Sequence, residues 1–401
     1  MLVVIALLAT ALLIWTESLM ALRRIDPPPL VDPLYPPASA IIAAYLPNEA
    51  ATIESTIESF LRMDYPGRLQ IILAYNTPRD MPIERLFKAI AERDTRFLPL
   101  RVKGSTSKAQ NVNAALGHVD GKFVGVFDAD HHPDTGSFQR AWGWLASGYD
   151  IVQGHCLIRN GDASWVARTI AVEFESIYAL AHPGRSRLHG FGIFGGSNGF
   201  WKTDLLRQTR MHGFMLTEDI DSSFRVIEQG YKIASDPYLI SRELAPTRLK
   251  ALWNQRMRWA QGWFQVALKR TVPLLRSPKL TLRQKAGVFH LLVWREIYPW
   301  ISTQVIPIIL YWAWRAGGFH HINWFVPIFI VTSIVTLGTG PGQVLLIYRQ
   351  ADAAIKSRKG WFSAYLLLSI VFYTEFKNVV GRVAQLKEIM GERVWNATPR
   401  T

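Results

Sequence analysis

Phe123-Val124-Gly125-Val126-Phe127-Asp128-Ala129-Asp130-His131 reads as a short strand of aromatic and β-branched residues that stops on two carboxylates and an imidazole. Asp128 and Asp130 stand two apart, so on an extended chain they share a face. At a strand end, one can ligate a metal while the other holds a ribose or a metal-bound water. Mg²⁺ or Mn²⁺ takes oxygen ligands and bridges phosphate oxygens, and such a metal offsets the charge that builds on a departing diphosphate. His131 would add a nitrogen donor, which tilts the choice toward Mn²⁺. Taken alone, Asp-Ala-Asp is more simply a solvated turn. His132 carries no argued role.

The chain around this strand alternates. Strands are expected over 40–45, 69–75 and 97–102, with helices over 48–63, 83–93 and 109–116 between them. Strands alternating with helices argue a parallel, doubly wound sheet within a soluble domain over 38–246. Ligands of such sheets bind beyond the carboxyl ends of the strands. Asn48, Asn76 and Asp128 fall at three of these ends and are expected to converge.

Two later stretches add chemistry. Thr217-Glu218-Asp219-Ile220-Asp221 opens a helical pattern, where acidic residues alone are ordinary helix-start stabilisers. Beside a metal-binding strand end, Asp219 becomes a candidate general base that takes a proton from an attacking hydroxyl. In Gln255-Arg256-Met257-Arg258-Trp259, the residues Gln255, Arg258 and Trp259 share one side of an amphipathic helix at i, i+3 and i+4. Arg offers phosphate a forked, permanently charged partner, and a Trp face stacks on the C–H face of a pyranose. Membrane anchoring is the plainer reading of such Trp and Arg residues. Gly195-Gly196-Ser197-Asn198-Gly199 is a bare loop that lets a bulky acceptor come close. Ser107-Lys108-Ala109 puts a Lys and a helix start near a phosphate or base.

Composition narrows the class. With 49% apolar and 19% charged residues, part of the 401-residue chain suits lipid, and the net charge of +14 fits membrane flanks facing a cytoplasm. No stripe alternates basic with base-stacking residues, which argues against nucleic acid. The single cysteine, Cys156, excludes an internal disulfide framework and fits a reducing compartment. Residues 1–24 read as a membrane helix with Glu17 as the lone charge within its apolar run, since about 20 apolar residues cross the ~30 Å of hydrocarbon. Arg23 and Arg24 follow the apolar run, whereas a cleaved leader carries its charge ahead of it. Residues 25–37 form a Pro-rich linker. Residues 247–285 suit an amphipathic helix at the membrane interface, and 286–383 hold the remaining membrane or interfacial helices. Spans are expected over 298–314 and 322–348. The run 361–373 is short for a span and reads as interfacial or re-entrant, with a fourth span to about 383 as the alternative. The tail 384–401 is expected in the cytoplasm.

Taken in order, these motifs resemble the family 2 inverting glycosyltransferases of the membrane-embedded, processive kind, the group of cellulose, chitin and hyaluronan synthases. The likeness runs over 40–259. It implies a GT-A-like, doubly wound mixed-sheet α/β domain that binds a nucleotide-sugar, flanked by transmembrane and interfacial helices. It also implies a bacterial-type inner (plasma) membrane enzyme, multi-pass, with its catalytic domain in the cytoplasm. By the resemblance, Asp130 with His131 holds Mg²⁺ or Mn²⁺, and Asp219 is the catalytic base. Asn48, Glu49, Asn76, Lys108, Asp128 and Arg258 meet the donor nucleotide, while Gly196, Ser197, Glu218, Gln255 and Trp259 border the acceptor. Trp395, Thr398 and Arg400 match an element that closes over the nucleotide. The family usually has an Asp pair where this chain has Asn76, which loosens the preference for a UDP-sugar. The implied partners are a nucleotide-sugar donor, a glycan acceptor, a lipid membrane, and a second copy or an export partner. The implied reaction is one in-line displacement with inversion. A single transfer to a lipid-linked acceptor and a non-catalytic membrane scaffold are the rival readings.

Overall fold

The computed structural model describes residues 2–23, 26–29, 34–318 and 325–392. Its centre is one eight-stranded sheet in the order β3-β2-β1-β4-β7-β6-β8-β5. The strands are β1 (Ala38–Tyr45), β2 (Leu69–Asn76), β3 (Phe97–Arg101), β4 (Phe123–Asp128), β5 (His132–Pro133), β6 (Ile151–Ile158), β7 (Gly199–Lys202) and β8 (Ile233–Glu243). The first four strands are parallel, with helices Ile83–Arg93 and Lys108–Ala115 supplying two crossovers. Beyond β4 the all-parallel sheet read from the alternation gives way to the mixed sheet that the resemblance implied: the four-residue β7 runs antiparallel to both β4 and β6. Its chain enters from the loop before Gly199 rather than through a crossover helix, so the sheet is mixed.

Period-two burial places apolar side chains on both faces of the sheet. Ile41, Ile72, Val124 and Val126 join one core with Trp201 and Phe224. Ile42, Phe123 and Phe127 join the other with Phe60, Phe138 and Phe200. Phe127 meets Phe60 and Phe200 edge-on, with ring centroids 4.9 and 5.5 Å apart, and truncating such a ring costs about 3–5 kcal/mol. Register then aligns the strand ends: Asp128 lies opposite Ala43 on β1, and Asn76 opposite Tyr45.

The single helix expected over 48–63 is two pieces, Leu46–Glu49 and Ile53–Leu61. The Glu49 carboxylate accepts the Tyr45 N–H at 2.7 Å, and Thr52 Oγ1 donates to the Glu49 carbonyl at 3.1 Å. Local side-chain bonds of this kind compete with a continuous helix.

Around the domain lie long helices. Among the described residues one, Leu2–Ala21, is long and apolar enough to cross a membrane. It packs on helices His182–His189 and Phe325–Gln350. Gly184 makes the first contact close, since a Cβ there would stand 2.0 Å from the Glu17 carbonyl oxygen. The segment expected to span over 298–314 is interrupted at Gln304, between helices Arg295–Thr303 and Val305–Arg315. Helix Lys359–Leu368 runs through a wide turn, Ser369–Tyr373, into helix Thr374–Ile389. Thr374–Ile389 lies along helix Leu249–Arg276, burying Val380 and Ala384. Trp395, Thr398 and Arg400 lie outside the described residues.

Candidate active site

A cavity of about 1020 Å³ opens beyond the carboxyl ends of β1, β2 and β4. Asn48, Glu49, Asn76, Lys108, Asp128, Gly196, Ser197, Glu218, Asp219, Gln255, Arg258 and Trp259 all line it. Residues read from sequence along more than 200 positions are thus brought to one hollow.

Its floor is built by β4 and the glycine loop. The Asp128 N–H donates to Ser197 Oγ at 3.0 Å. Lys108, first residue of its helix, reaches Asp128 Oδ1 at 2.5 Å and donates to the Gly196 carbonyl at 2.6 Å. Burial opposes that charge, but Asp128 and Glu218 hold the Lys108 ammonium above its usual pKa. Gly196 has a φ of +93°, and a Cβ on it would stand 2.7 Å from Asp219 Oδ2. Glycine is therefore required twice over, for the backbone and for the carboxylate packed against it. Gln153, which the sequence did not single out, pins this loop: its Oε1 accepts the Gly195 N–H at 2.7 Å and its Nε2 donates to the Ser197 carbonyl at 2.9 Å.

Asp219 is the second residue of the helix Glu218–Glu228. Burial, then the neighbouring Glu218 charge, push its pKa up to about 7, against smaller opposing pulls from the Ile220 N–H, Lys108 and Arg258. A carboxylate with that affinity is a proton acceptor matched to neutral pH.

The turn after β4 alters the reading of Asp-Ala-Asp. The His131 N–H donates to the Asp128 carbonyl at 3.2 Å, which ends the strand and breaks its period-two alternation. Asp128 stays at the cavity, whereas Asp130 and His131 are buried and do not line it. Asp130 Oδ2 accepts the Leu244 N–H at 2.9 Å; His131 Nδ1 meets Ser241 Oγ at 3.0 Å and its Nε2 stands 3.5 Å from Glu243. The ligand atoms of His131, Cys156 and Glu243 lie within 4.8 Å of one another. An imidazole nitrogen, a thiol and the Glu243 carboxylate thus gather behind Asp128, and the Asp130 and Asp128 carboxylates act on the same imidazole; the nitrogen and oxygen donors among them fit a divalent cation. Nothing in the local sequence marked Glu243.

Two strands across, Asn111 was also overlooked as a contact. Its Nδ2 donates to the Ala44 carbonyl at 3.1 Å and to Asn76 Oδ1 at 2.8 Å. With both N–H groups committed, the amide orientation is fixed, and its Oδ1 has no hydrogen-bond partner among the described residues. Asn76 Nδ2 donates to the Ser105 carbonyl at 3.1 Å.

The opposite wall is helix Leu249–Arg276, bearing Gln255, Arg258 and Trp259. Gly262 lets it close on the Asp219 loop, because a Cβ there would lie 2.4 Å from Thr217 Cγ2. Arg256 points away from the cavity and is buried. It pairs with Glu173 at 2.5 Å and lies 4.3 Å from the centre of the Trp259 ring. Tyr373 donates to the same Glu173 at 2.7 Å and Lys377 at 3.2 Å. Gln261 and Gln265 donate to Glu388 at 3.0 and 2.9 Å. The Trp259 wall is therefore set by helices from the last 35 residues of the described chain.

Three comparisons bear on this arrangement. The chain is 27% identical over 257 residues to poly-β-1,6-N-acetyl-D-glucosamine synthase of Staphylococcus epidermidis, covering 61% of this chain and 58% of that one. Against the enzyme of the same name from Staphylococcus aureus it is 25% identical over 287 residues, 67% of this chain and 63% of that one. The chain thus spans about three fifths of these curated relatives. A mannosyltransferase from Pyrobaculum calidifontis, solved with GDP-Man and Mn²⁺, superposes with a TM-score of 0.63 at 18% identity, covering 98% of this chain and 99% of that one. That likeness shows a shared fold, GT-A-like over the sheet domain. Residues 36–262, more than half the chain, match the family described as "Glycosyltransferase like family 2", and the chain belongs to that family.

Proposed function

We propose that this chain is an inverting, metal-dependent glycosyltransferase of a plasma membrane, moving one sugar from a nucleotide-sugar to the hydroxyl of a growing β-linked glycan. The observation that carries the reading is Asp219. Its carboxylate lies against Gly196, is raised toward neutrality, and lines one cavity with Lys108, Asp128, Arg258 and Trp259.

Asp219 takes the proton from the acceptor hydroxyl as its oxygen attacks the anomeric carbon. The bond to the diphosphate breaks on the opposite face, which inverts that carbon. Arg258, which makes no ion pair among the described residues, meets the phosphate charge together with Lys108. Trp259 stacks on the acceptor, and Gly196, Ser197, Glu218 and Gln255 border it. Asp128 and Glu243 at the cavity, with Asp130 and His131 behind them, would hold Mg²⁺ or Mn²⁺, which would supply charge neutralisation for the leaving diphosphate. Adjacent strands lie about 4.8 Å apart and rise about 3.3 Å per residue, so Asn76, two strands over and two residues along, stands roughly 12 Å from Asp128. That matches the reach from phosphate to base, and Asn48, Glu49 and Asn76 fall along it. The donor is a UDP-sugar in this reading.

Membrane attachment rests on Leu2–Ala21, with further spans drawn from 298–314 and 322–348 and an inward-facing catalytic domain. The poly-β-1,6-N-acetyl-D-glucosamine synthases favour a polysaccharide product. The second reading is one transfer to a lipid-linked acceptor. Incubating the purified full chain with labelled UDP-sugars and GDP-mannose, then sizing the product, separates them. A ladder of long chains is expected from a UDP-sugar. Products of one or two sugars on lipid would overturn the polymer reading, and no nucleotide release from any donor would overturn the transferase reading.

A further inference from the structure

Far from the strand ends, three ligand-type atoms from three separate segments meet at one buried point. Glu17 is the only charged residue in helix Leu2–Ala21 and is 4% exposed. His189 ends the helix His182–His189, and His290 opens the wide turn His290–Trp294. His189 Nε2 and His290 Nδ1 are 3.2 Å apart, and Glu17 Oε1 stands 3.4 Å from His290 Nδ1 and 3.7 Å from His189 Nε2.

A single N–H does not satisfy this triangle. If it bridges the two imidazoles, Glu17 Oε1 remains buried without a hydrogen-bond partner among the described residues, and if His189 gives it to Glu17 the contact is long, at 3.7 Å, and the imidazole–imidazole contact has no proton. A buried acceptor left in that state is costly. A metal ion satisfies all three atoms at once. Nitrogen and oxygen ligands of Zn²⁺ lie about 2.0–2.2 Å from it in a tetrahedron, which separates them by about 3.3–3.5 Å. The three observed edges, 3.2 to 3.7 Å, bracket that value. The remaining carboxylate oxygen is also placed as metal sites place it. Glu17 Oε2 accepts from Arg185 Nε at 3.0 Å, an outer contact that orients the ligand. Arg295, the other nearby cation, has its guanidinium 3.9 Å from the Trp263 ring centre, so its charge is engaged elsewhere.

The geometry points to a transition-metal site, of the Zn²⁺ class, formed by Glu17, His189 and His290 with a water in the fourth position. It fastens the N-terminal helix to the catalytic domain and to the helices that follow Leu249–Arg276. Its two imidazoles distinguish it from the group behind Asp128, where one imidazole stands with a thiol and a carboxylate. It is independent of the transfer reaction.

The test uses the full chain, purified in detergent and stripped with a chelator, with Zn²⁺ and Co²⁺ alone as probes. One equivalent of Zn²⁺ should survive gel filtration, and Co²⁺ in its place should give the intense visible bands of four-coordination. Asp130→Asn should retain that equivalent, whereas His290→Ala and the isosteric Glu17→Gln should each lose it. The Co²⁺ spectrum of the unmutated chain stands even if His290→Ala does not fold. No retained Zn²⁺, weak six-coordinate Co²⁺ bands, retention by Glu17→Gln, or loss in Asp130→Asn would each overturn the assignment.

Discussion

The two walls of the cavity are held in different ways. The strand-end wall is fixed through main-chain groups: register, the Gly196 conformation and the bonds from Gln153 to the loop backbone leave Asp128 and Asp219 little freedom. The helical wall takes its position from side chains far away in sequence. Arg256, 83 residues from Glu173, reaches it in a buried pair, and Tyr373 arrives from 200 residues away. In the proposed reaction the first wall carries the proton chemistry; the second places a Trp face and an Arg against it. Damage to the first should remove chemistry from a folded protein, and damage to the second should loosen the fold and weaken acceptor binding.

The largest effect is expected at the first wall. Asp219→Asn removes the proton acceptor while keeping shape, so kcat should fall about 10²- to 10⁴-fold with the melting temperature preserved. At the second wall, Arg256→Met leaves Glu173 buried against only Tyr373 and Lys377. Breaking a buried pair costs about 3–5 kcal/mol, which denaturant unfolding should register. Arg256→Lys should fold better yet raise the acceptor KM, because the stacked planar fork is lost. A smaller change is expected from Asn111→Ala. If its fixed Oδ1 accepts from the base, the donor KM should rise by about tenfold with kcat kept, the worth of one buried hydrogen bond.

The contrast also explains what the sequence disclosed. Strand β4 and the helix Ile83–Arg93 were legible because period-two and period-3.6 patterns are local. The convergence of Asn48, Asn76 and Asp128 followed from the sheet class alone. Asp-Ala-Asp was legible as chemistry but not as geometry: the turn donating from His131 to Asp128 sends Asp130 beneath the surface. The antiparallel β7 was hidden because four residues carry no period. Gln153, Glu243, Arg256 and the acceptor of Asn111 acquire meaning only through partners distant in sequence, so no window contains their signal. Glu17 was visible as an oddity in an apolar helix, and only the fold brings the two histidines to it.

The central claim is that the carboxylate at the head of helix Glu218–Glu228 accepts the proton, with an affinity raised by burial and by Glu218. The pH dependence of kcat/KM in the unmutated chain and in Glu218→Gln tests it most directly. The base must be ionised to act, so activity should fall below an apparent pKa near 7. Removing the Glu218 charge favours the Asp219 anion, so that acid limb should move to lower pH. A profile flat down to pH values of unperturbed carboxylates, about 4, or a limb that stays in place in Glu218→Gln, would contradict it.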